Sequence, residues 1–343
     1  MRTAPYTGAA PPAMKAVLCK EYGPPERLVV EEIASLTAGP SEVRIGVHAC
    51  GINFPDLLMI QGQYQFKPPM PFSPGGEVAG VVLDVGAGVS GVSAGDRVIG
   101  QCGWNGFAEE VVVPAAKCLA MPPSMSYAVG ASLSVTYGTS IHALVQRARL
   151  APGETLLVHG ASGGVGTATI EIGKLLGAKV IATGANDEKL AKLKSLYGVD
   201  HTVNIATNPQ WKDTVKELTG GSGADVVYDP VGGEVFEQSL RCVAWNGRIL
   251  VVGFASGTIP QPKMNLVLLK GCAILGVFWG AFTAREPEAN AANFRQLFEW
   301  HEAGKLAPHV SHQFPLERAA DALNALLRRQ VVGKAVLTTA RGN

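Results

Sequence analysis

The sequence predicts an α/β protein of two domains, in which a doubly wound parallel sheet is inserted into a β-rich domain. Its 343 residues are enough for two domains that each bury a core. Short alternating segments separated by Gly and Pro clusters fill the first third, whereas the middle alternates apolar strands with amphipathic helices. The pattern becomes mixed again after about Val277, so we expect the outer domain to be discontinuous.

The β-rich domain is predicted from segments near both ends of the chain. Period-two alternation between turn residues indicates half-buried strands. The strands expected in the first third are 42–47, 77–85 and 107–113. The later elements expected are helices 289–303 and 318–327 and a closing strand 335–337.

The middle of the chain alternates strands with helices, which implies right-handed βαβ units and a Rossmann-like parallel sheet. The expected strands are 155–159, 179–183, 224–229 and 248–252. The expected helices follow the Gly-rich turn through 176 and occupy 187–196 and 234–242. The predicted limits are a disordered tail 1–13, an outer domain 14–133 with 279–343, and a dinucleotide-binding domain 134–278.

Composition limits the possible partners and the compartment. Lys and Arg number 29 against 28 Asp and Glu, so we expect no nucleic-acid partner. No apolar run approaches the roughly 20 residues of a membrane span, and segment 1–13 lacks the apolar core of a signal peptide. The six cysteines form no CxxC pair and indicate free thiols in a reducing compartment, which predicts a cytoplasmic protein.

A glycine-rich turn from His159 to Gly166 lies between a predicted strand and a predicted helix. Glycines in this context let the backbone approach a pyrophosphate, and the helix N-terminus stabilises the negative charge. The same letters fit G-x-S-x-G, the nucleophile elbow of α/β-hydrolases, which also needs an acid and a histidine. The downstream histidines are not flanked by a recognisable catalytic motif; they are His201, His301, His309 and His312. The added Val165 and Gly166 favour the dinucleotide interpretation.

The end of the second predicted strand bears on the choice between NAD and NADP. NAD sites usually place an acidic residue there to bind the ribose 2′-hydroxyl. Here the strand ends in Gly184, Ala185 and Asn186, and Lys189 follows, so a 2′-phosphate is tolerated and can be paired. The alternative is that Asn186 or Asp187 only caps the next helix and that Lys189 lies on its solvated face. NADPH is the favoured cofactor.

The segment from Ala49 to Asp56, followed by Gly75, Gly76 and Glu77, resembles the medium-chain dehydrogenase superfamily, and the resemblance extends from Met14 over almost the whole chain. In the zinc enzymes of that superfamily a Cys ligand stands at the position of Asn53 and a His ligand at that of Gly76. The third ligand falls within 131–136, which offers no thiol or imidazole, and the cysteine-rich structural zinc lobe is missing too. Since catalytic zinc needs protein ligands, no metal is expected.

Within that superfamily the sequence is similar to the quinone oxidoreductase (zeta-crystallin-like) branch, through Gly153-Glu154, Leu157, the 161–166 turn and Lys174. The resemblance implies a GroES-like outer domain and NADPH as cofactor. The cofactor positions that it implies are Ser162, Gly163, Gly164, Val165, Ala185, Asn186, Lys189, Ile205, Val252, Gly253, Phe254, Ala255, Val277, Phe278 and Trp279. Two departures are Glu171, where Gln is usual, and Ile205, where Tyr is usual.

Without a metal, hydride must go to an acceptor that conjugation already activates, such as a quinone. The resemblance puts Asn53 and Thr136 near the nicotinamide, where amide and hydroxyl donors could position the ring or a developing oxyanion. Simple loop and helix-cap hydrogen bonding is the alternative for both. The proton is expected from solvent or Tyr64. The aromatic residues that could line a slot for a flat acceptor are Tyr64, Trp104, Phe278, Trp279 and Phe282.

The expected function is therefore NADPH-dependent reduction of a quinone or similar conjugated carbonyl. One alternative is an enoyl or alkenal (acryloyl-type) reductase, and another is a non-catalytic NADPH-binding protein with a structural or regulatory role. The apolar strand 273–278 is expected at an exposed sheet edge, where it could pair across a two-fold axis. A homodimer or homotetramer is expected.

Overall fold

A computed structural model describes residues 13–342. The predicted disordered tail 1–13 lies outside the described residues except for Ala13, which begins the first strand. The chain forms two compact units. The first unit comprises the chain through Pro123, Gln313–Leu327 and the residues from Val336 on, and the second comprises Ser124–His312 and Arg328–Ala335. The domain limits expected from the sequence stay a prediction.

The strands of the described residues account for two sheets and one additional antiparallel pair. In chain order they are β1 (Ala13–Leu18), β2 (Val29–Ala34), β3 (Glu42–Gly51), β4 (Glu77–Val85), β5 (Arg97–Gln101), β6 (Glu110–Pro114), β7 (Cys118–Ala120), β8 (Thr155–Val158), β9 (Lys179–Gly184), β10 (His201–Asn204), β11 (Ala224–Asp229), β12 (Val243–Val251), β13 (Ala273–Gly276), β14 (Val310–Pro315) and β15 (Lys334–Thr338).

Most of the helices belong to the second unit. In chain order they are α1 (Phe54–Ile60), α2 (Tyr127–Gly130), α3 (Ser134–Ile141), α4 (Gly164–Leu175), α5 (Asp187–Tyr197), α6 (Trp211–Leu218), α7 (Gly233–Cys242), α8 (Met264–Lys270), α9 (Trp279–Arg285), α10 (Pro287–Glu302) and α11 (Ala319–Leu327). Within residues 13–342, none of these helices combines the length and the apolar character needed to cross a bilayer.

The second unit contains a parallel sheet of order β10-β9-β8-β11-β12-β13, which confirms the doubly wound sheet expected from the sequence. The central strands β8 and β11 are apolar along most of their length because helices cover both faces of such a sheet. The chain order reverses between β8 and β11. Ligands of such sheets bind at that point, beyond the carboxyl ends of the strands.

The first unit is built on a seven-stranded sheet of order β14-β15-β3-β4-β5-β7, with β6 pairing β3. Strand β3 is central and continues through Ile52 into α1, which Asn53 precedes as its N-cap residue. Antiparallel pairing sets Gly51, at the end of β3, opposite Glu77, at the start of β4. This register brings the segment before α1 next to the first residues of β4.

Candidate active site

The turn after β8 is tight because glycines let backbone approach backbone. Gly160 has a φ of +56°, and a Cβ added at Gly166 would lie 2.4 Å from the Gly160 carbonyl oxygen. The Gly163 N–H donates to the same carbonyl at 2.9 Å, and Gly163 is the N-cap of α4. A glycine turn that ends at the first N–H groups of a twelve-residue helix is a site for a phosphate group.

His159 is buried beneath this turn. Its Nε2 lies 2.8 Å from the Ser239 hydroxyl and its Nδ1 lies 2.8 Å from the Thr183 hydroxyl. These hydroxyls also donate to backbone carbonyls, Ser239 to Val235 and Thr183 to Val158. Burial lowers the pKa of His159. The hydrolase alternative would need a histidine beside Ser162, but the ring of His159 bonds Thr183 and Ser239.

The segments after β11, β12 and β13 lie at the same carboxyl edge of the sheet. The Asp229 carboxylate accepts from the Val231 and Gly232 N–H groups at 2.7 and 3.0 Å, which orders the turn that packs on Gly160. The predicted cofactor segment 252–255 is tied to it, since Val252 donates to the Asp229 carbonyl and Ala255 to that of Pro230, both at 3.0 Å.

Two side chains after β9 have different roles: Asn186 caps a helix, and Lys189 interacts with the segment that contains Arg329. Asn186 caps α5 by accepting from the Lys189 N–H at 2.9 Å, as the structural alternative expected. Lys189 is half-buried, and its Nζ donates to the carbonyls of Arg329 and Val331. Its pKa is lowered, first by burial and then by the charge of Arg329. An anion bound near both charges would relieve their mutual repulsion.

Other residues predicted to contact the cofactor or the acceptor differ in burial and in their contacts. Ile205 packs on the core of the second unit, whereas Phe278 is 54% exposed. The Trp279 indole lies against Gly138, where an added Cβ would approach a ring atom to 2.7 Å, and donates to Asn290 at 3.2 Å. The ring of Phe282 is buried and stacks on His142 at a centroid distance of 3.9 Å, and its role in an acceptor slot stays a prediction.

Thr136 lies in α3 with its side chain against the start of α4. Its hydroxyl donates to the Ser132 carbonyl at 2.8 Å, the preceding turn of the helix. Its methyl would contact a Cβ added at Gly164 at 3.0 Å. The hydroxyl hydrogen is therefore used inside the helix, and the oxygen remains able to accept a hydrogen bond.

Asn53 lies in a cluster of buried polar groups within the first unit. Its Nδ2 donates to Glu77 Oε1 at 2.9 Å, and its backbone N–H donates to Asp56 Oδ2 at 2.7 Å. The other Asp56 oxygen accepts from the Gly75 N–H at 3.1 Å. The side chains of Asp56 and Glu77 are buried. The carboxylates that hold Asn53 were not identified as functional from the sequence.

Two further titratable groups belong to the same neighbourhood. The pKa of the Tyr64 hydroxyl is raised by burial and then by Asp56, so the phenol keeps its proton at neutral pH. Burial, followed by the charge of Asp56, raises the pKa of the Cys102 thiol well above its usual range. A protonated phenol is available here as a donor, whereas a thiolate nucleophile is not favoured.

Glu171, the departure noted in the sequence, is buried and bonded at both carboxylate oxygens. One oxygen accepts from the Tyr137 hydroxyl at 2.6 Å and the other from the Ala307 N–H at 2.5 Å. A glutamine could bond the same two groups, because the Tyr137 oxygen can also accept from an amide N–H. Burial raises the pKa of Glu171.

Two segments of the chain match known sequence families. Residues 39–123 match the family described as alcohol dehydrogenase GroES-like domain, and residues 164–297 match the family described as zinc-binding dehydrogenase. A quinone oxidoreductase-like protein 2 homolog of Nematostella vectensis is 43% identical and aligns over 95% of this chain and 89% of its own length.

Two solved structures are similar over nearly the whole chain. A mycobacterial protein in complex with NADPH has a TM-score of 0.88 at 31% identity, covering 95% of this chain and 100% of that chain. The CurK enoyl reductase has a TM-score of 0.84 at 27% identity, covering 95% of this chain and 98% of that chain. Each is an oxidoreductase fold to which this chain is similar.

Proposed function

Because the chain belongs to the quinone oxidoreductase-like branch of the medium-chain dehydrogenase/reductase superfamily, we propose that it reduces a quinone or similar conjugated carbonyl with NADPH and without a metal. Membership makes the chain an oxidoreductase that uses a nicotinamide cofactor and consists of a GroES-like part and a Rossmann-like sheet. The single observation that supports a nicotinamide-dependent reaction is the glycine turn at the point where the strand order of that sheet reverses, between β8 and β11.

The residues present fit NADPH, which supplies a hydride when it is bound. The turn from Gly160 to Gly166 is tight, since a Cβ at Gly166 would lie 2.4 Å from the Gly160 carbonyl oxygen, and a glycine turn of this kind at a helix N-terminus accommodates a pyrophosphate. Lys189 and Arg329 are both positively charged and repel each other, and both would pair with a 2′-phosphate. The NADPH complex of the mycobacterial relative supports this choice of cofactor.

Zinc independence is proposed from the side chains at the positions of the zinc ligands. Asn53 is bonded to Glu77 there, and Gly76 has no side chain to offer. Within residues 13–342, no three His, Cys, Asp or Glu side chains are grouped as metal ligands would be. Without a Lewis acid, the acceptor must spread its new charge by conjugation.

Asn53 and Tyr64 are the proposed active-site side chains of the first unit. Asn53 is held rigidly by the buried carboxylates, so its amide could orient a ring without reorganising. Tyr64 keeps a proton at neutral pH that it could donate to the reduced acceptor. For Thr136 we propose only an accepting role, because its hydrogen is given to Ser132.

The proposed reaction is tested by initial rates of NADPH oxidation with 1,2-naphthoquinone, crotonyl-CoA and a 2-alkenal. We expect 1,2-naphthoquinone to be reduced fastest. Rates equal to the enzyme-free background with all three acceptors would contradict an enzymatic role. Tight NADPH binding in that case would support the alternative of a structural or regulatory NADPH-binding protein.

Enoyl reduction is the second candidate, and the similarity to the CurK enoyl reductase favours it. A thioester-conjugated alkene also spreads the incoming charge onto a carbonyl oxygen, so the same metal-free site could act on it. A rate with crotonyl-CoA above that with the quinone would select this candidate.

We also propose that the protein assembles through β13. This strand is at the edge of the parallel sheet, as the sequence predicted, and an exposed edge can pair with a second copy. Large apolar side chains of the same unit are exposed, with Trp245 at 69%, Leu268 at 79% and Leu269 at 68%. Light scattering should give a dimer or tetramer, and a monomeric mass would contradict the proposal.

A cytoplasmic location is proposed from the cysteines. None of the six, all of which lie within the described residues, forms a disulfide, and four of them are buried. Unpaired cysteines are typical of proteins from reducing compartments. Fractionation of the source cells should recover the protein in the cytosol.

A further inference from the structure

The amide of Asn53 has two faces that differ in chemistry, and Glu77 selects between them. A carboxylate accepts hydrogen bonds and has none to donate, so the amide edge that faces Glu77 Oε1 at 2.9 Å must be the NH₂ edge. Glu77 is 0% exposed and lies on β4 inside the sheet, opposite Gly51. Its position is therefore fixed by strand register.

The backbone of Asn53 is fixed by a second carboxylate. Asp56, 2% exposed, accepts from the Asn53 N–H at 2.7 Å and from the Gly75 N–H at 3.1 Å. It thereby joins the start of α1 to the segment that leads into Glu77. Gly75 cannot be larger, because an added Cβ would lie 2.5 Å from the Phe107 ring. Asp56 sets where the Asn53 side chain begins, and the Glu77 carboxylate, together with the Asp56 N–H of the capping box, sets how the amide is turned.

We infer that Glu77 is a positioning residue, one that holds the Asn53 carboxamide in a single orientation for the reaction; this rests on the proposed function, in which Asn53 contacts the reacting groups. Without the carboxylate, rotation of the amide by a half-turn would exchange its donor and acceptor edges. A glutamine at position 77 can present either a donor or an acceptor to Asn53, so it favours one orientation of the Asn53 amide less strongly than a carboxylate does. A site loosened in this way loses rate more than it loses binding.

A purely structural role for Glu77 predicts different behaviour. Replacing a buried carboxylate would then lower stability and leave the activity of folded enzyme unchanged. Glu110 offers a matched control, because it is 5% exposed in the same unit and bonds Ser35 and Arg44 away from Asn53. Glu110→Gln should reduce the melting temperature without changing kcat.

The kinetic test is a double-mutant cycle between Glu77→Gln and Asn53→Ala. With NADPH and 1,2-naphthoquinone, Glu77→Gln should lower kcat about tenfold and leave KM for NADPH within about threefold. In the Asn53→Ala background the same substitution should change kcat less than about twofold, because its target is gone. An equal loss in both backgrounds would overturn the inference.

A second measurement needs no turnover. The side-chain amide of Asn53, assigned by its absence in Asn53→Asp, should exchange with solvent at least about tenfold faster in Glu77→Gln than in wild type, whereas Glu110→Gln should leave its exchange unchanged. Equal exchange in Glu77→Gln and wild type would contradict the positioning even if the enzyme is active. If wild type reduces no acceptor, the proposed function fails, and this exchange rate still decides whether Glu77 holds Asn53.

Discussion

The glycine turn of the second unit and the Asn53 cluster of the first unit create binding groups in opposite ways. In the turn, the backbone closes tightly at the N-terminus of α4 because Gly166 has no side chain, and a Cβ there would meet the Gly160 carbonyl oxygen at 2.4 Å. In the cluster, a side-chain amide becomes useful because Asp56 and Glu77 hold it in place. The turn therefore depends on the absence of side chains at two glycines, whereas the cluster depends on two buried carboxyl groups.

This difference explains what each region tolerates. Backbone groups keep their positions as long as the chain path is kept, so only added volume harms the turn. A side-chain amide keeps its orientation only while its partners remain, so loss of either carboxylate harms the cluster. Substitutions in the two regions should therefore separate cofactor binding from catalysis.

Gly166→Ala should have the largest effect on binding. Its Cβ would lie 2.4 Å from the Gly160 carbonyl, so the turn must open. Such overpacking costs about 1–3 kcal/mol, and we expect the Kd for NADPH to rise about 100-fold by fluorescence titration. Gly280→Ala in α9, where the nearest atom would be 3.5 Å away, is the control. Equal affinity in Gly166→Ala and wild type would contradict the importance of backbone approach.

Asn53→Ala should affect the rate and leave binding unchanged. We expect kcat with 1,2-naphthoquinone to fall about 100-fold, the typical loss for one positioned polar group at a reacting centre, with the Kd for NADPH within about twofold. A parallel loss of NADPH affinity would remove the distinction between the two regions.

Lys189→Gln should have a smaller effect that depends on the cofactor. The affinity for NADPH should fall about tenfold, since a hydrogen bond to a charged group contributes about 1.5–3 kcal/mol, while the affinity for NADH should change little. Lys194→Gln, an exposed lysine later in α5, is the matched control. Equal losses for both cofactors would show that Lys189 serves only the carbonyls of Arg329 and Val331.

His159 should give the smallest effect, in stability. Because burial lowers its pKa in the folded protein, the unfolded chain binds more protons once the pH falls below about 6.5. Stability is therefore full above that pH and declines as the pH falls toward the folded pKa, by up to about 1.4 kcal/mol per pH unit. Urea unfolding at pH 7.5 and 5.5 should show this decline, and it should be smaller in His159→Gln. An unchanged pH dependence in the variant would contradict a neutral buried His159.

The parallel sheet was predictable because each unit of it is local in sequence. Segments such as 224–229 combine apolar runs with flanking turns, and the glycine turn is contiguous. Strand β10 was missed because it is only four residues long and mostly exposed, so it has no apolar run to mark it. Helix α6 was missed as well. Near the C-terminal end, the helix expected at 289–303 begins at Pro287 instead, where a proline is favoured in the first turn.

The Asn53 cluster was only partly predictable. Asn53 itself was identified through a zinc-ligand position, but Glu77 is 24 residues away and meets it only through the pairing of β3 with β4. The spacing of Asn53 and Asp56 was the one local signal, since an N-cap residue and an acid three positions later commonly bond. Arg329 was missed for a similar reason, because it lies 140 residues from Lys189.

The central claim is direct hydride transfer from NADPH to a conjugated carbonyl without a metal. It is tested most directly by assaying chelator-dialysed enzyme with 1,2-naphthoquinone and NADPH deuterated separately on each face of C4. The account predicts an undiminished kcat after dialysis and a primary isotope effect for one label only. Loss of activity on dialysis with recovery on adding Zn²⁺, or turnover that is insensitive to both labels, would contradict it.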